Sequence, residues 1–537
     1  MPRIIAKGAE EPLTTEYLDF YYIYAFDTGS QVNCDEVLNY LLNKLSYGME
    51  IAALEYVSLP RIDEYSQKGW SVVANAGTWI RPICKVSGEL SVDLMLHIKY
   101  RAYIDVILLS EEYLEKSEMA RFFMGSITID LSTIKYKKLR ELRELRGYLE
   151  LLIHQNGVMV LTLRIPIHGI ELSSRDVMYL RYLLEVRGVN FRIPRTAYNL
   201  WIYMKKGTAY TFSPSRSIIK VRSRVIDILE IFSLLIKYLL LTKKGYKVTN
   251  IVQLENLLRN PWDSTYTVLF TELLKGEMKF IEVLREYSAQ IYAMLRGPRR
   301  LISRRAARRA ISKSFRYIPL VQLAETQGRS TRRYIGSRVS VLISESDTHI
   351  VTVSKRYLGV SEIGERLRLL HITVLELANH ARQCLRVFEH LFTSKRPKNL
   401  EELTKLRELF SKVIDSIENS YFIVDSDMKE LFRYCMKALE LRRLISSVER
   451  KFESLSYVIM TRYQDRISKM QVLLSVLFGV FGIPFFLFSY FQWLYDIALE
   501  GKSQHIVEVT LSTCLPIIPI LLMTIYLYYK WSKEVFR

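Results

Sequence analysis

Cysteine is scarce in this chain and never paired. Five cysteines (Cys34, Cys84, Cys384, Cys435 and Cys514) are spread over 537 residues, with no CxxC spacing and no even framework. A disulfide scaffold is excluded, and the thiols read as buried or lipid-facing groups in a reducing compartment. Catalytic signatures are lacking too: the chain holds no P-loop, no GxGxxG and no HExxH. Its eight histidines (His97, His154, His168, His349, His371, His380, His390 and His505) show no ligand spacing. Glu376 and His380 stand four apart on an expected helix, a pair common by chance, and they read as part of a solvated face rather than as metal ligands. No nucleophile is paired with a base, so no enzyme and no cofactor are expected. The N-terminal stretch MPRIIAKGAEEPLTTEY lacks an apolar core of signal-peptide length, so the N-terminal body is expected to stay where it is made.

What is present begins with charge. A hydrophobic share of 49% with 25% charged residues is a globular composition, and the length predicts about three or four structural units. The formal net charge is +20, and it is local: residues 296–338 hold thirteen Lys/Arg and one acidic residue, Glu325. A basic segment of this kind implies an acidic partner. Within it Arg304, Arg305, Arg308 and Arg309 repeat at a four-residue step, so on a helix they stack into one basic face. That face suits an anionic lipid surface; a solvated loop or an intersubunit ion-pair network is the plainer alternative. Nucleic acid is not expected, because no recognisable binding fold accompanies the charge.

The N-terminal part mixes strand and helix signals. Residues 17–26, 51–59 and 70–74 read as strands, 35–45 as a helix, and 94–109 as a hairpin or one extended strand. Two apolar runs around Gln155-Asn156-Gly157 predict a hairpin, and Ser173-Ser174-Arg175-Asp176 resembles a capping box opening a helix to about Val186. This gives an α/β (or α+β) cytosolic domain over residues 1–190. A second mixed region spans 191–355, with helices near 222–242 and 276–295 and short strands near 266–273 and 318–323. The apolar stretch 225–241 carries Asp227, Glu230 and Lys237, so it reads as a buried helix, not a membrane span.

Residues 356–470 form the expected helical stalk, with helices over about 360–393 and 400–424. Asn399 and Asp425-Ser426 offer N-caps. From about Met428 the chain reads as helical without a break. Leu431, Tyr434, Ala438, Leu441, Ile445, Val448, Phe452, Leu455 and Ile459 alternate in steps of three and four, a coiled-coil pattern whose phase then slips to Tyr463, Ile467 and Met470. The stripe packs between chains or on the two preceding helices. Finally, residues 471–495 and 509–529 contain no charge. Each is long enough to span a bilayer, with aromatic residues at the ends, so residues 471–537 are expected to form a two-span transmembrane domain. Arg462, Arg466, Lys469, Lys530, Lys533 and Arg537 flank the runs, which predicts a plasma-membrane protein with both termini cytoplasmic.

The order of these features resembles the CorA-type magnesium transporter superfamily. The residues that carry the resemblance are Met470-Gln471-Val472-Leu473 and Pro484, within RYQDRISKMQVLLSVLFGVFGIP over 462–484. The family's Gly-Met-Asn signature is absent, and Trp493-Leu494-Tyr495 stands in its place. The resemblance implies a homo-oligomer, a pentamer if the likeness is complete, moving a divalent cation such as Mg. Ser475, Gly479, Gly482 and Pro484 would then line a pore, and Trp493, Leu494, Tyr495, Asp496, Glu500 and Glu508 would form its outer mouth. The rival expectation is a transport-inactive, membrane-anchored sensor or scaffold whose cytosolic body binds a ligand or partner.

Overall fold

The computed structural model describes residues 12–45, 50–58, 80–87, 89–110, 113–114, 119–195, 197–198, 218–244, 263–273, 280–296, 304–313, 315–317, 339–352, 362–394, 400–419 and 422–499, with 522, 525, 526 and 529. They divide into two units, Met1–Ser394 with Glu408–Glu449, and Lys395–Arg407 with Arg450–Arg537.

The first unit opens with β1 (Thr14–Asp27), α1 (Cys34–Leu45), β2 (Ile51–Ser58), β3 (Ile80–Ser87), α2 (Val92–Leu108) and β4 (Met119–Asp130). Next come α3 (Lys137–Glu141), β5 (Glu144–His154), β6 (Val158–Ser173), α4 (Ser174–Tyr182) with a π turn over Leu183–Arg187, β7 (Val189–Pro194) and β8 (Ile218–Ser223). Then follow α5 (Val225–Lys243), β9 (Ser264–Leu273), α6 (Phe280–Arg296), α7 (Arg304–Lys313), β10 (Phe315–Tyr317), β11 (Val339–Ile343), β12 (Asp347–Thr352) and α8 (Glu362–Ser394). Three further helices complete the described chain: α9 (Leu400–Asn419), α10 (Ser426–Ala438) and α11 (Leu441–Leu499).

Twelve described strands form one mixed sheet in the order β10-β11-β12-β9-β1-β6-β5-β4-β2-β3, with β7 joining β4 to β8. Every pairing is antiparallel except β12 with β9. Side chains alternate along β1. Leu18, Phe20, Tyr22, Tyr24 and Phe26 enter the apolar core, which α1, α4, α5 and α6 share. Asp19 and Tyr21 point the other way, toward the layer of α8 and α2, and are equally buried. A strand buried on both faces reads as a near-continuous apolar run.

Local chemistry explains the turns. Gly157 closes the β5–β6 hairpin at φ +87, and a Cβ there would sit 2.1 Å from the Ser30 carbonyl oxygen. The Ser173 hydroxyl and the Asp176 carboxylate cap α4 reciprocally, and the Asp425 side chain accepts from the Met428 amide at 2.8 Å to open α10.

Three expectations are corrected. Residues 94–109 are not β structure: they belong to α2, whose charged positions His97, Arg101 and Asp105 recur every fourth residue and are buried. The rod is not unbroken from Met428: it stops at Ala438 and restarts at Leu441, with Glu440 in the left-handed region at φ +55. The third correction concerns the two C-terminal transmembrane helices. Among the described residues no helix is long and apolar enough to cross a membrane. Residues 471–495, expected from their length, freedom from charge and terminal aromatics to cross a bilayer, instead continue α11. Of the second run only Leu522, Ile525, Tyr526 and Tyr529 are described. Plasma-membrane placement, and the membrane and transmembrane description as a whole, lose their basis with the spans. The expected strands at 70–74 and 318–323, and Asn399, lie outside the described residues.

Candidate functional site

Charged residues placed singly in apolar strands meet between the sheet and α8. Asp19, Arg121, Glu150 and Arg164 come from β1, β4, β5 and β6; His97, Arg101 and Asp105 from α2; Glu365, Arg368 and Glu376 from α8. Glu376 is at the centre. Its Oε1 accepts from Arg101 Nη2 at 2.6 Å and Thr162 Oγ1 at 2.7 Å, and its Oε2 accepts from Arg121 Nη1 at 2.9 Å. Arg101 also donates to Glu150 and, at 2.8 Å, to Thr373. Arg121 grips Asp105 through Nε and Nη2 at 2.5 and 3.0 Å, and Tyr56 donates to the same carboxylate. At the other end Arg164 bridges Asp19, at 3.0 Å, and Glu365, at 2.5 and 2.9 Å. Arg368 pairs with Glu365 and lies over the Tyr17 ring. His97 stands between, 3.6 Å from Glu150 and 3.8 Å from Glu365.

Four guanidiniums thus face five carboxylates, and the side chains of Arg101, Arg121, Asp105 and Glu376 are wholly buried. Burial works to raise the Glu150 carboxyl, yet Arg101 and His97 hold it well below the usual range. The same contest at Glu365 is won by Arg164 with His97 and Arg368. An acid–base catalyst needs a group poised near the working pH, and these two carboxylates are held far from it. What the network does is fix α8 and α2 on the sheet in one register, because a charge moved out of place would be buried without a partner.

Next to it, His154 and His380 stack with centroids 3.6 Å apart. Tyr113 Oη lies 3.0 Å from His154 Nδ1, and Cys384 Sγ lies 3.5 Å from His380 Nε2. Burial pushes His380 down to about 3; burial and then the His380 charge push His154 well below its ordinary value. Glu376 and His380 therefore do not share a solvated face, as expected from their spacing: one is in the charge network and the other is in this stack. Among the described residues no group of three His, Cys, Asp or Glu is arranged to hold a metal.

The site residues expected from sequence are placed as follows. Ser475, Gly479 and Gly482 are exposed on α11, and a Cβ built on either glycine meets nothing within 4 Å. Pro484 lies within α11, its side chain outside the described set. Trp493 and Tyr495 are exposed and Leu494 is buried; Asp496 is exposed, and Glu500 and Glu508 lie outside the described residues. Arg308 and Arg309 are exposed on α7 while Ala307 and Ile311 pack inward; the side chains of Arg304 and Arg305 are outside the described set.

The heptad stripe is divided. In the first unit Leu431, Ala438, Leu441, Ile445 and Val448 are buried. In the second, Phe452, Leu455 and Ile459 are half-buried, while Tyr463, Ile467 and Met470 beyond the phase slip are 55%, 40% and 64% exposed. Met460 and Leu474, outside the expected stripe, extend the three-and-four spacing on either side and are each 45% exposed. Arg462, Gln464, Asp465, Ser468 and Lys469 around them are exposed as well, with Lys469 pairing Asp465 at 3.1 Å. Compared with protein-family models, curated proteins and solved structures, the chain matches none. None of the three comparisons supports or refutes the CorA resemblance.

Proposed function

We propose that this chain is a self-assembling scaffold protein: α11 gathers copies of the chain, and the α/β body is the part presented to other partners. The observation that carries the reading is the exposed series Met460, Tyr463, Ile467, Met470 and Leu474 at heptad spacing. A regular apolar seam flanked by polar residues is self-complementary, since the same surface on a second copy interdigitates with it. Burying one such side chain fully is worth roughly 1.5–3 kcal/mol. The ten side chains of a pair, about half-exposed beforehand, return on the order of 10 kcal/mol gross, close to the cost of association. Two strands would thus be marginal. Farther along, Phe478, Phe488, Phe491, Trp493 and Tyr495 are exposed as well, and a helix apolar on several sides is one enclosed by neighbours. This favours a bundle of more than two copies. Divalent-cation transport is not carried forward, because none of the comparisons supports it.

The test is a cross-link. In a parallel in-register seam Ile467 of one chain meets its own copy, so Ile467→Cys should form an intermolecular disulfide on mild oxidation. Asp465→Cys, on the outer side of the helix, should not. Equal cross-linking of the two variants would sink the seam.

A further inference from the structure

A second site lies at the β4–β5 connection, and none of its lining residues belongs to the charge network. The β4–β5 connection folds around α3, and with Ser132 its residues Arg140, Glu141, Leu142, Arg143 and Glu144 line an open groove of about 720 Å³. That volume is in the range of small-ligand sites. Three features of the corner point the same way.

The first is unneutralised charge. Glu144 is held by Arg192 at 2.5 Å and Asp130 by Lys220. Lys138 is taken by Asp176 at 3.2 Å. Among the described residues Arg140 and Arg143 have no carboxylate partner, and both are exposed. Glu141 is the one lining carboxylate left to oppose them.

The second is register. Asp130 pairs across the sheet with Glu144 on one side and Asn190 on the other, and Asn190 pairs with Arg222; Thr128 likewise links Arg146 and Arg192. Cross-strand partners share a face. Arg146 and Arg222, exposed and without carboxylate partners among the described residues, therefore flank the groove on the same face as the Glu144–Arg192 pair.

The third is the backbone. Arg143 sits at φ +50, where glycine is the comfortable residue. It is fixed there by its amide donating to the Arg140 carbonyl at 3.0 Å and its carbonyl accepting from the Leu131 amide at 2.7 Å. A strained position occupied by arginine, when glycine would relax it, draws attention to the side chain rather than the fold.

We propose that this groove binds a small polyphosphorylated ligand, with Arg140 and Arg143 as its primary contacts and Arg146 and Arg222 as flanking charge. Guanidinium forks match phosphate oxygens in pairs. The lining offers one leucine and no aromatic ring, so recognition falls on the phosphates and not on a base.

The experiment titrates full-length protein with inorganic tripolyphosphate by calorimetry, at low and physiological salt. Arg140→Gln with Arg143→Gly removes both contacts, and the glycine relieves the left-handed backbone, so the melting temperature should not fall. Binding by this variant should weaken at least about tenfold, while Lys99→Gln on the exposed side of α2 should bind as the parent does. Equal affinity of parent and double variant, or no heat from the parent at millimolar ligand, overturns the proposal. So does a single-stranded oligonucleotide that binds more tightly than tripolyphosphate and loses that affinity in the double variant, which would make the corner a nucleic-acid surface.

Discussion

Glu376→Gln is the sharpest probe of the buried network. Both carboxylate oxygens are in use, accepting from Arg101, Arg121 and Thr162 at 2.6–2.9 Å, with no solvent exposure at Glu376 or either arginine. Glutamine keeps the shape but not the charge, and its amide nitrogen must face a guanidinium. Breaking a buried pair from one side costs about 3–5 kcal/mol, because the remaining charge is stranded. Here two guanidiniums lose a partner, but each keeps another, Arg101 its Glu150 and Arg121 its Asp105. The same range therefore applies rather than its double. The assay is urea unfolding followed by circular dichroism, with Lys405→Ala, which breaks an exposed i,i+4 pair, as a near-neutral comparison. Combining Glu376→Gln with Arg101→Met removes one stranded charge, so the double variant should be less destabilised than the sum of the singles by about 1–3 kcal/mol. A loss below about 1 kcal/mol for Glu376→Gln, the range of exposed pairs, would refute the reading that this network fixes α8 on the sheet.

Three other outcomes follow from particular residues. Gly157→Ala places a Cβ 2.1 Å from a backbone oxygen at φ +87, and should cost at least about 2 kcal/mol in the same unfolding assay. Glu440→Gly, at φ +55 between α10 and α11, should raise stability by about 1 kcal/mol, read as an upward shift in urea midpoint. Acid should destabilise the fold: burial holds His349 at about 3, helped by the Arg181 charge, and His371 and His380 at about 4 and about 3, against about 6.5 unfolded. Between those values the unfolded chain binds more protons, so this stability is full above about pH 6.5 and declines as pH falls, by at most ~1.4 kcal/mol per unit for each histidine. Asp263, raised by burial to about 6 despite Lys237, works the other way between about pH 4 and 6 and offsets one of the three. A melting temperature that holds or rises from pH 7 to 5 would contradict the assignment.

Much of the body was legible because its signals are local. The hairpin at Gly157, the Ser173 capping box, the Asp425 cap and the strand at β1 each depend on a few adjacent residues. The charge network was not legible, although its traces were present. Asp19, Arg121, Glu150 and Arg164 each interrupt an apolar strand, and His97, Arg101 and Asp105 recur every fourth residue. Taken singly each looks like a surface position, and the partners that bury them, Glu365, Arg368 and Glu376, are more than 200 residues away from most of them. The same spacing misled the reading of α2, whose buried charges broke the apolar pattern of a helix. At the C-terminus the charge-free run 471–495 reads as a membrane span from sequence, whereas it forms part of α11 and no helix among the described residues is long and apolar enough to cross a membrane.

The account's central claim is that α11 assembles copies of this chain through its exposed seam. Sedimentation velocity of the full-length protein tests it most directly, beside a variant with Tyr463, Ile467 and Met470 each replaced by Lys. The account predicts a parent species of more than two chains that does not dissociate on dilution to low micromolar concentration, and a variant that sediments as one chain with its circular dichroism unchanged. A parent that sediments as a single chain, or a variant of the same mass as the parent, would contradict it.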